Sequence, residues 1–589
     1  MTLAGSNEPL VVETARYRLE LAPSSTIATL RSPGGAHWAS LRLLAALDTV
    51  AGPDETLSVS GPRVVGNGGR SFEVERRSTL WERASTTLVC TEDTIEVRAS
   101  VTGRGTLTDV HLLGGRSLVP GPPTGFLPSG SSFRTLFSSN PGDPARLLRS
   151  AGETAVIGAS GDSQPGRGHW FFTPAPLYLA LTTAEVENPA DEVPEGWLGL
   201  ALAAPVRELT FVQLAYHPAD RGFSLRLDYD GHTAVDGGFE APTLVLTPGD
   251  RDPYDGLRRH GDDLRARGAA PARGRRKAPP WWSGPIFCGW GAQSHLAATR
   301  GGRAADYSSQ RGYDAFLSHL EGQGVVPDTV VIDDKWQEVY GKGVPDRAKW
   351  PDLQGWITDR RRRGQHVLLW WKAWSAQGLP PELCIRNPDG AAIVLDPTNP
   401  AARAVLREAM TAMLGGDGLD ADGLKIDFTA STPTGRALST HGPGWGLALL
   451  HELLAVVYDA AKEAKPDALI ITHTPHPAFA DVTDMVRLND MLRLDDFGPV
   501  PPVLPQMRLR AEVVRAACPE LPIDTDDWCV PDLETWRAYV ELKPELGVPS
   551  LYYASHLDAT GESLTPADYG ALRRTWGLWR EANAEERAS

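Results

Sequence analysis

Over the first 250 residues, apolar and polar positions alternate in short runs: Leu10–Leu21, Thr86–Cys90, Thr94–Val101 and Ser224–Tyr229. A period of two places every second side chain on one face of a strand, and Gly, Pro, Asn and Asp punctuate the intervals. This pattern predicts a large antiparallel β-sandwich, a β-supersandwich, over residues 1–250. The segments Ser131–Pro144 and Gly158–Gly168 are long enough to lie over a neighbouring unit. Residues 251–283 read as a helix, Tyr254–Gly268, followed by a basic, Pro-rich and solvated linker, Ala269–Pro280.

From Trp281 the rhythm changes to apolar run, loop and amphipathic stretch, repeated. The runs are Pro285–Trp290, Thr329–Asp333, His366–Trp371, Gly423–Asp427, Ala468–Thr472, Asp484–Leu488, Leu521–Asp524 and Pro549–Tyr553. Eight such units predict a (β/α)8 barrel over residues 284–589. The competing doubly wound sheet needs a Gly-rich phosphate turn after its first strand, and Gly289-Trp-Gly291 is not one.

Catalytic groups of such barrels sit at the C-terminal strand ends, so the residues there are the candidates. Strand 1 ends in Trp290, strand 2 in Asp333-Asp334-Lys-Trp336 and strand 3 in Trp370-Trp371-Lys372. Strand 4 ends in Asp427, strand 5 in His473 and His476, strand 6 in Asn489-Asp490 and strand 7 in Asp524-Thr-Asp526-Asp527-Trp528. Carboxylates bind sugar hydroxyls, and indole faces cover the apolar face of a pyranose, so this mixture predicts a carbohydrate site. Two carboxylates flanking a glycosidic bond can serve as nucleophile and acid/base. Lys425 lies two residues before Asp427, on the same strand face, where it favours the ionised carboxylate a nucleophile needs. Asp490, with Asp484, Asp495 and Asp496 nearby in sequence, is the better proton donor. Asp495 or Asp496 could replace it, and one of Asp524, Asp526 and Asp527 on strand 7 is held in reserve. His441, His473 and His476 lack metal-ligand spacing, so neither a metal nor another cofactor is expected.

Composition narrows the partners. A net charge of −16 argues against nucleic acid and anionic membranes. The 41% hydrophobic content includes no run long enough to span a bilayer, and the five cysteines show no CxxC spacing. The N-terminus resembles no secretory leader, so a cytoplasmic protein is expected. Its partner would be a carbohydrate or glycoconjugate, with homo-oligomerisation left open.

Four motifs connect these features. They are Val331-Ile-Asp-Asp-Lys-Trp336, Leu395-Asp-Pro-Thr-Asn-Pro400, Leu424-Lys-Ile-Asp427 and Arg487-Leu-Asn-Asp490. Through them the sequence resembles the α-galactosidase and raffinose-synthase group, glycoside hydrolase family 36, which shares a clan with family 27. The resemblance implies a sandwich followed by a barrel and a retaining α-galactosidase-like activity. It implies Asp427 as nucleophile and Asp490 as acid/base. Asp333 and Asp334 would bind distal hydroxyls of the sugar, Lys425 a neighbouring one and Arg487 the O2 side. Trp290, Trp336, Trp371 and Asp526 complete the expected substrate-binding set. Lys335 stands where the family pattern has Gly. The alternatives are a raffinose-synthase-type transglycosidase, a family 31-like α-glucosidase or α-xylosidase, and a carbohydrate-binding protein on a decayed barrel.

Overall fold

The computed structural model describes residues 9–588 except 24, 67–68, 120–123, 141–145, 162–171, 274–277 and 492–501. Strands from Leu10–Glu13 to Thr243–Asp250 form one large, curled, almost wholly antiparallel sheet. Its spine is the pairing of Ile95–Leu112 with Gly222–Glu240, interrupted by a register shift between Leu107 and Asp109. Alternating burial along Ser71–Ser78 and Arg83–Cys90 directs Phe72, Val74, Ala84 and Leu88 into the core. Period-two patterning therefore acts here as the sequence predicts.

The helix Pro253–Ala266 follows, with Asp252 capping it by accepting from the Asp255 amide. It packs between the sheet and the barrel helix Val503–Ala517. Phe137, Tyr178 and Trp197 of the sheet belong to the same apolar cluster as the barrel helices, so the two units share buried surface.

All eight predicted runs form strands. They are Ile286–Cys288, Thr329–Ile332, His366–Lys372, Gly423–Asp427, Leu469–Thr472, Met485–Arg487, Ile523–Asp524 and Ser550–Leu551. Strands 1 to 7 pair in parallel in chain order, and strand 8 returns to strand 1. A parallel bridge from Asp524 to Val548 crosses the remaining interval, giving a nearly closed barrel. The run before strand 4 forms the helix Pro400–Leu414, with Asn399 as its N-cap and Pro400 at its first position, where the missing N–H costs nothing.

The strand ends turn sharply. Lys335, Trp374, Phe428, Asn489 and Asp526 have φ of 73°, 68°, 61°, 68° and 56°. Side chains disfavour this left-handed region, and such residues concentrate where a site over-determines the backbone. The sheet also reaches the barrel mouth. Gly161 forms an antiparallel bridge with Ser431, and the Thr173 amide donates to the His473 carbonyl at 3.0 Å. The segment expected to overlie its neighbour thus touches the loop after strand 4 at Gly161, and residues 162–168 lie outside the described set. No described helix is long and apolar enough to cross a membrane.

Candidate active site

A cavity of about 150 Å³ opens at the C-terminal end of the barrel. Asp333, Asp334, Lys425, Asp427, Arg487 and Asp490 contribute charge, while Trp290, Trp370, Phe428, Trp528 and Tyr552 supply aromatic surface. Trp290 and Trp528 meet edge to face, with centroids 5.9 Å apart.

Asp427 and Asp490 occupy opposite electrostatic states. The Asp427 carboxylate accepts from Arg487 Nη2 at 3.0 Å, the Phe428 amide at 2.8 Å and Trp370 Nε1 at 3.2 Å. Burial alone would raise its pKa, but the positive field of Arg487 and Lys425, with the Phe428 hydrogen bond, holds it well below the usual carboxylate range. Asp490 is pushed up to about 7. Burial is the chief cause, reinforced by Asp526 and Asp427 and opposed by Arg487, whose Nη1 stands 3.7 Å away. Both carboxyl groups keep 24% of their side-chain surface exposed, so each reaches the cavity.

Arg487 connects them. Its side chain is 2% exposed, and Nη1 donates at 2.8 Å to Asp526, which is fully buried. Asp526 also accepts from the Asp527 and Trp528 amides. Asp526 therefore lies beneath Arg487 and outside the cavity wall, a correction to the expectation that it binds substrate. The other strand 7 carboxylates also have internal partners. Asp524 accepts from the Asp526 amide and Ser550 Oγ, and Asp527 from Lys543 Nζ, the Tyr552 amide and Trp536 Nε1. Neither lines the cavity.

A second ion pair lies deeper. Lys425 Nζ is 2.7 Å from Asp333 Oδ2, and both side chains are 3% exposed. The Cys288 thiol donates to the same oxygen at 2.9 Å. Lys425 thus shares the inward face with Asp427, as strand geometry requires, but takes Asp333 as its direct partner, while Arg487 pairs with Asp427. Asp334 is more open and accepts from the Tyr340 hydroxyl at 2.8 Å. Burial pushes it up to about 6.

Two aromatic expectations change. Trp336 is fully buried and donates to the Trp370 carbonyl at 2.8 Å, bracing strand 3. Trp371 is 5% exposed and packs outward among the helices. Trp370 takes the inward position because it stands in register with Lys425. Period two alone cannot choose between adjacent tryptophans.

Tyr552, Phe428, Ala430 and Arg510 are not singled out by the sequence reading. Tyr552 follows strand 8 at the position the strand-end rule marks, so that signal was present. Phe428 and Ala430 lie just past the Asp427 motif. Arg510, on the helix Val503–Ala517, donates through Nη1 to the carbonyls of Leu488, Asn489 and Asp490 at 2.8, 3.0 and 2.7 Å. It fixes the loop carrying Asp490 from a helical position with no local signature. His473 lines the cavity and shares a 2.6 Å hydrogen bond with Thr429, whereas His476 contacts the Ala478 amide. The His441 amide donates to Asp396. Asp484 is held by Lys462, Tyr458 and the Ile470 amide, away from the cavity. Asp495 and Asp496 lie outside the described residues. Among the described residues no three His, Cys, Asp or Glu side chains are grouped to hold a metal.

No protein-family model matches the chain, and no curated protein matches it. Solved structures do. A family 31 sulfoquinovosidase from E. rectale aligns over 99% of this chain and 85% of its own, with 10% identity and a TM-score of 0.60. An α-galactosidase from Thermus thermophilus, in complex with stachyose, aligns over 88% and 99%, with 15% identity and a TM-score of 0.52. A cycloalternan-degrading enzyme from Trueperella pyogenes aligns over 88% and 83%, with 12% identity and a TM-score of 0.52. At these identities the likeness establishes a common fold, a β-rich N-terminal region followed by a barrel, shared with glycoside-processing enzymes.

Proposed function

We propose that the chain is a retaining α-glycoside hydrolase with Asp427 as nucleophile and Asp490 as acid/base. The observation that carries this reading is the divergence of two cavity carboxyl groups around one guanidinium. Asp427 is held ionised, while Asp490 is protonated up to about pH 7. The solved relatives add support, since the three named above process glycosides on this fold.

In the first step Asp427 attacks the anomeric carbon as the bond to the leaving oxygen breaks, and Asp490 delivers its proton to that oxygen. The charge on Asp427 is spent in the new ester bond, releasing Arg487 to its contact with Asp526. Asp490, now ionised, removes a proton from water, which attacks the anomeric carbon and frees Asp427. Net retention follows from two inversions. Asp333 and Asp334 hold hydroxyls at the far side of the sugar, with Trp290 and Trp528 against its apolar surface. The motif resemblance supplies galactose as the reference sugar.

A panel of 4-nitrophenyl α-glycosides tests the reading, with the first-formed product anomer followed by NMR. Hydrolysis of an α-glycoside to the α-anomer is expected. Release of the β-anomer, or no hydrolysis across the panel, would overturn it. Transfer to an added sugar in preference to water would mark the transglycosidase.

A further inference from the structure

The cations at the barrel mouth are unequally committed: Lys425 and Arg487 line the cavity, and Lys372 borders it behind Phe428. Lys425 is paired with Asp333, and Arg487 with Asp427 and Asp526. Lys372, the last residue of strand 3, is not paired. Register places it beside Asp427, on the inward face with Trp370. Its ammonium nevertheless turns to two aromatic faces, 4.9 Å from the centroid of Tyr340 and 4.4 Å from that of Phe428. Among the described residues it makes no hydrogen bond and no ion pair. Ring faces replace only part of the lost hydration of an ammonium. A half-buried cation without an acceptor is therefore available to one brought by a ligand.

Lys335 strengthens the same sector. Its Nζ lies 4.2 Å from the Tyr340 centroid and donates to the Glu338 carbonyl and Gln377. Its backbone sits at φ 73°, a conformation that favours Gly, so the chain keeps a charged side chain there against local strain. Two ammonium groups thus share one tyrosine ring, whose hydroxyl holds Asp334. The two ammonium groups stand beside the Asp334 carboxyl and, for Lys372, in register with Asp427, and neither forms an ion pair with them among the described residues.

The position of the sector within the barrel identifies what it faces. Asp334 and Lys335 follow strand 2, and Lys372 ends strand 3. Asp490, which must stand beside the leaving group, follows strand 6. In a ring of eight, strand 2 lies opposite strand 6. Lys372 and Lys335 therefore stand on the side of the mouth away from the aglycone, next to the cavity residues Asp334 and Phe428 at the distal end of the cleaved sugar.

We infer that the natural glycone is an acidic sugar, whose anionic group at its distal carbon is held by Lys372 with Lys335 beside it. This inference rests on the α-glycosidase reading for the orientation of the sugar, and its test measures binding without turnover.

Calorimetry on the full chain would compare galacturonic and glucuronic acids with galactose and glucose. The 6-phosphates and 6-sulfonates of the same hexoses distinguish the anion. At least one acidic sugar should bind tenfold or more tightly than its neutral parent. That gap should narrow between 50 and 500 mM NaCl, collapse in Lys372→Met and persist in Lys372→Arg. Equal or weaker binding of every acidic sugar would overturn the inference. So would a gap that survives Lys372→Met, or equal losses for neutral and acidic sugars, the pattern of a lysine that holds a hydroxyl. Failure of the glycosidase reading has a separate signature, tight binding of an acidic sugar whose aryl α-glycoside is not hydrolysed.

Discussion

Arg487 and Asp427 form a 3.0 Å ion pair across the barrel mouth, from the end of strand 6 to the end of strand 4. The guanidinium is clamped from behind by Asp526, so its position does not depend on the charge of Asp427. A carboxylate held this way stays ionised well below the usual carboxylate range and already faces the cavity, as the proposed nucleophile must. Asp427→Ala should lower turnover by several orders of magnitude while circular dichroism and Tm remain near wild type. Activity within tenfold of wild type would move the nucleophile elsewhere.

On the proposed mechanism the raised Asp490 should set the alkaline limb of the pH profile. The proposed first step uses its proton, so kcat/KM for a substrate with a poor leaving group should fall above about pH 7. The acidic side should stay flat to well below pH 4 as far as Asp427 is concerned, because that group is shifted down. A 2,4-dinitrophenyl glycoside, which needs little protonation, should lose the alkaline limb. Identical limbs for both leaving groups would remove Asp490 from the acid role.

The same shift has a consequence for stability. The ordinary value for Asp is 3.8, and folding raises Asp490 to about 7. Between those values the unfolded chain releases the proton and the folded chain retains it, so stability from this group is full below about pH 4 and is lost as pH rises to 7. Asp490→Asn should therefore be at least as stable as wild type at pH 8, an advantage that vanishes at pH 4. Thermal melts at the two values read this directly.

Much of the barrel was legible because buried parallel strands are continuous apolar runs that end in polar residues at the mouth. Asp427, Asp490, Asp333 and Asp334 could be named on that ground alone. Contacts spanning strands could not. That Lys425 takes Asp333 and Arg487 takes Asp427 depends on which side chains meet across the ring, and sequence spacing carries no such information. Trp370 against Trp371 is a one-residue ambiguity of strand phase. Arg510 escapes notice for another reason, and Lys372, named at its strand end, is given no role by spacing. A lone cation on a helix or at a strand end is usually solvated, and only the fold reveals what surrounds it.

Asp490 and Asp526 both contact Arg487, and chemical rescue separates them. Asp490→Ala should retain the first step with an activated leaving group, and azide should restore turnover by attacking the glycosyl-enzyme without a base. Asp526→Ala should show no azide response, because Asp526 is fully buried beneath the guanidinium. Its loss should act by releasing Arg487, lowering kcat for activated and poor leaving groups alike. Azide rescue of the Asp526 variant would reverse the two roles.

The two carboxylates after strand 2 should differ although they are adjacent. Asp333 is locked to Lys425 with both side chains 3% exposed, whereas Asp334 faces the cavity and, among the described residues, its side chain meets only the Tyr340 hydroxyl at hydrogen-bond distance. Removing one member of a buried pair leaves an uncompensated charge, at a cost of about 3–5 kcal/mol. Asp333→Asn should therefore lower Tm by several degrees as well as impair binding. Asp334→Asn should leave Tm within about a degree and raise KM roughly tenfold, the loss of a charge-assisted hydrogen bond worth about 1.5–3 kcal/mol. The double variant Asp333→Asn with Lys425→Met removes the orphaned cation, so much of the lost stability should return without the lost activity. Additive losses in that cycle would mean that the pair contributes nothing as a pair, and that Asp333 and Lys425 act on the fold independently. Full recovery of activity in the double variant would place sugar recognition on Asp334 alone.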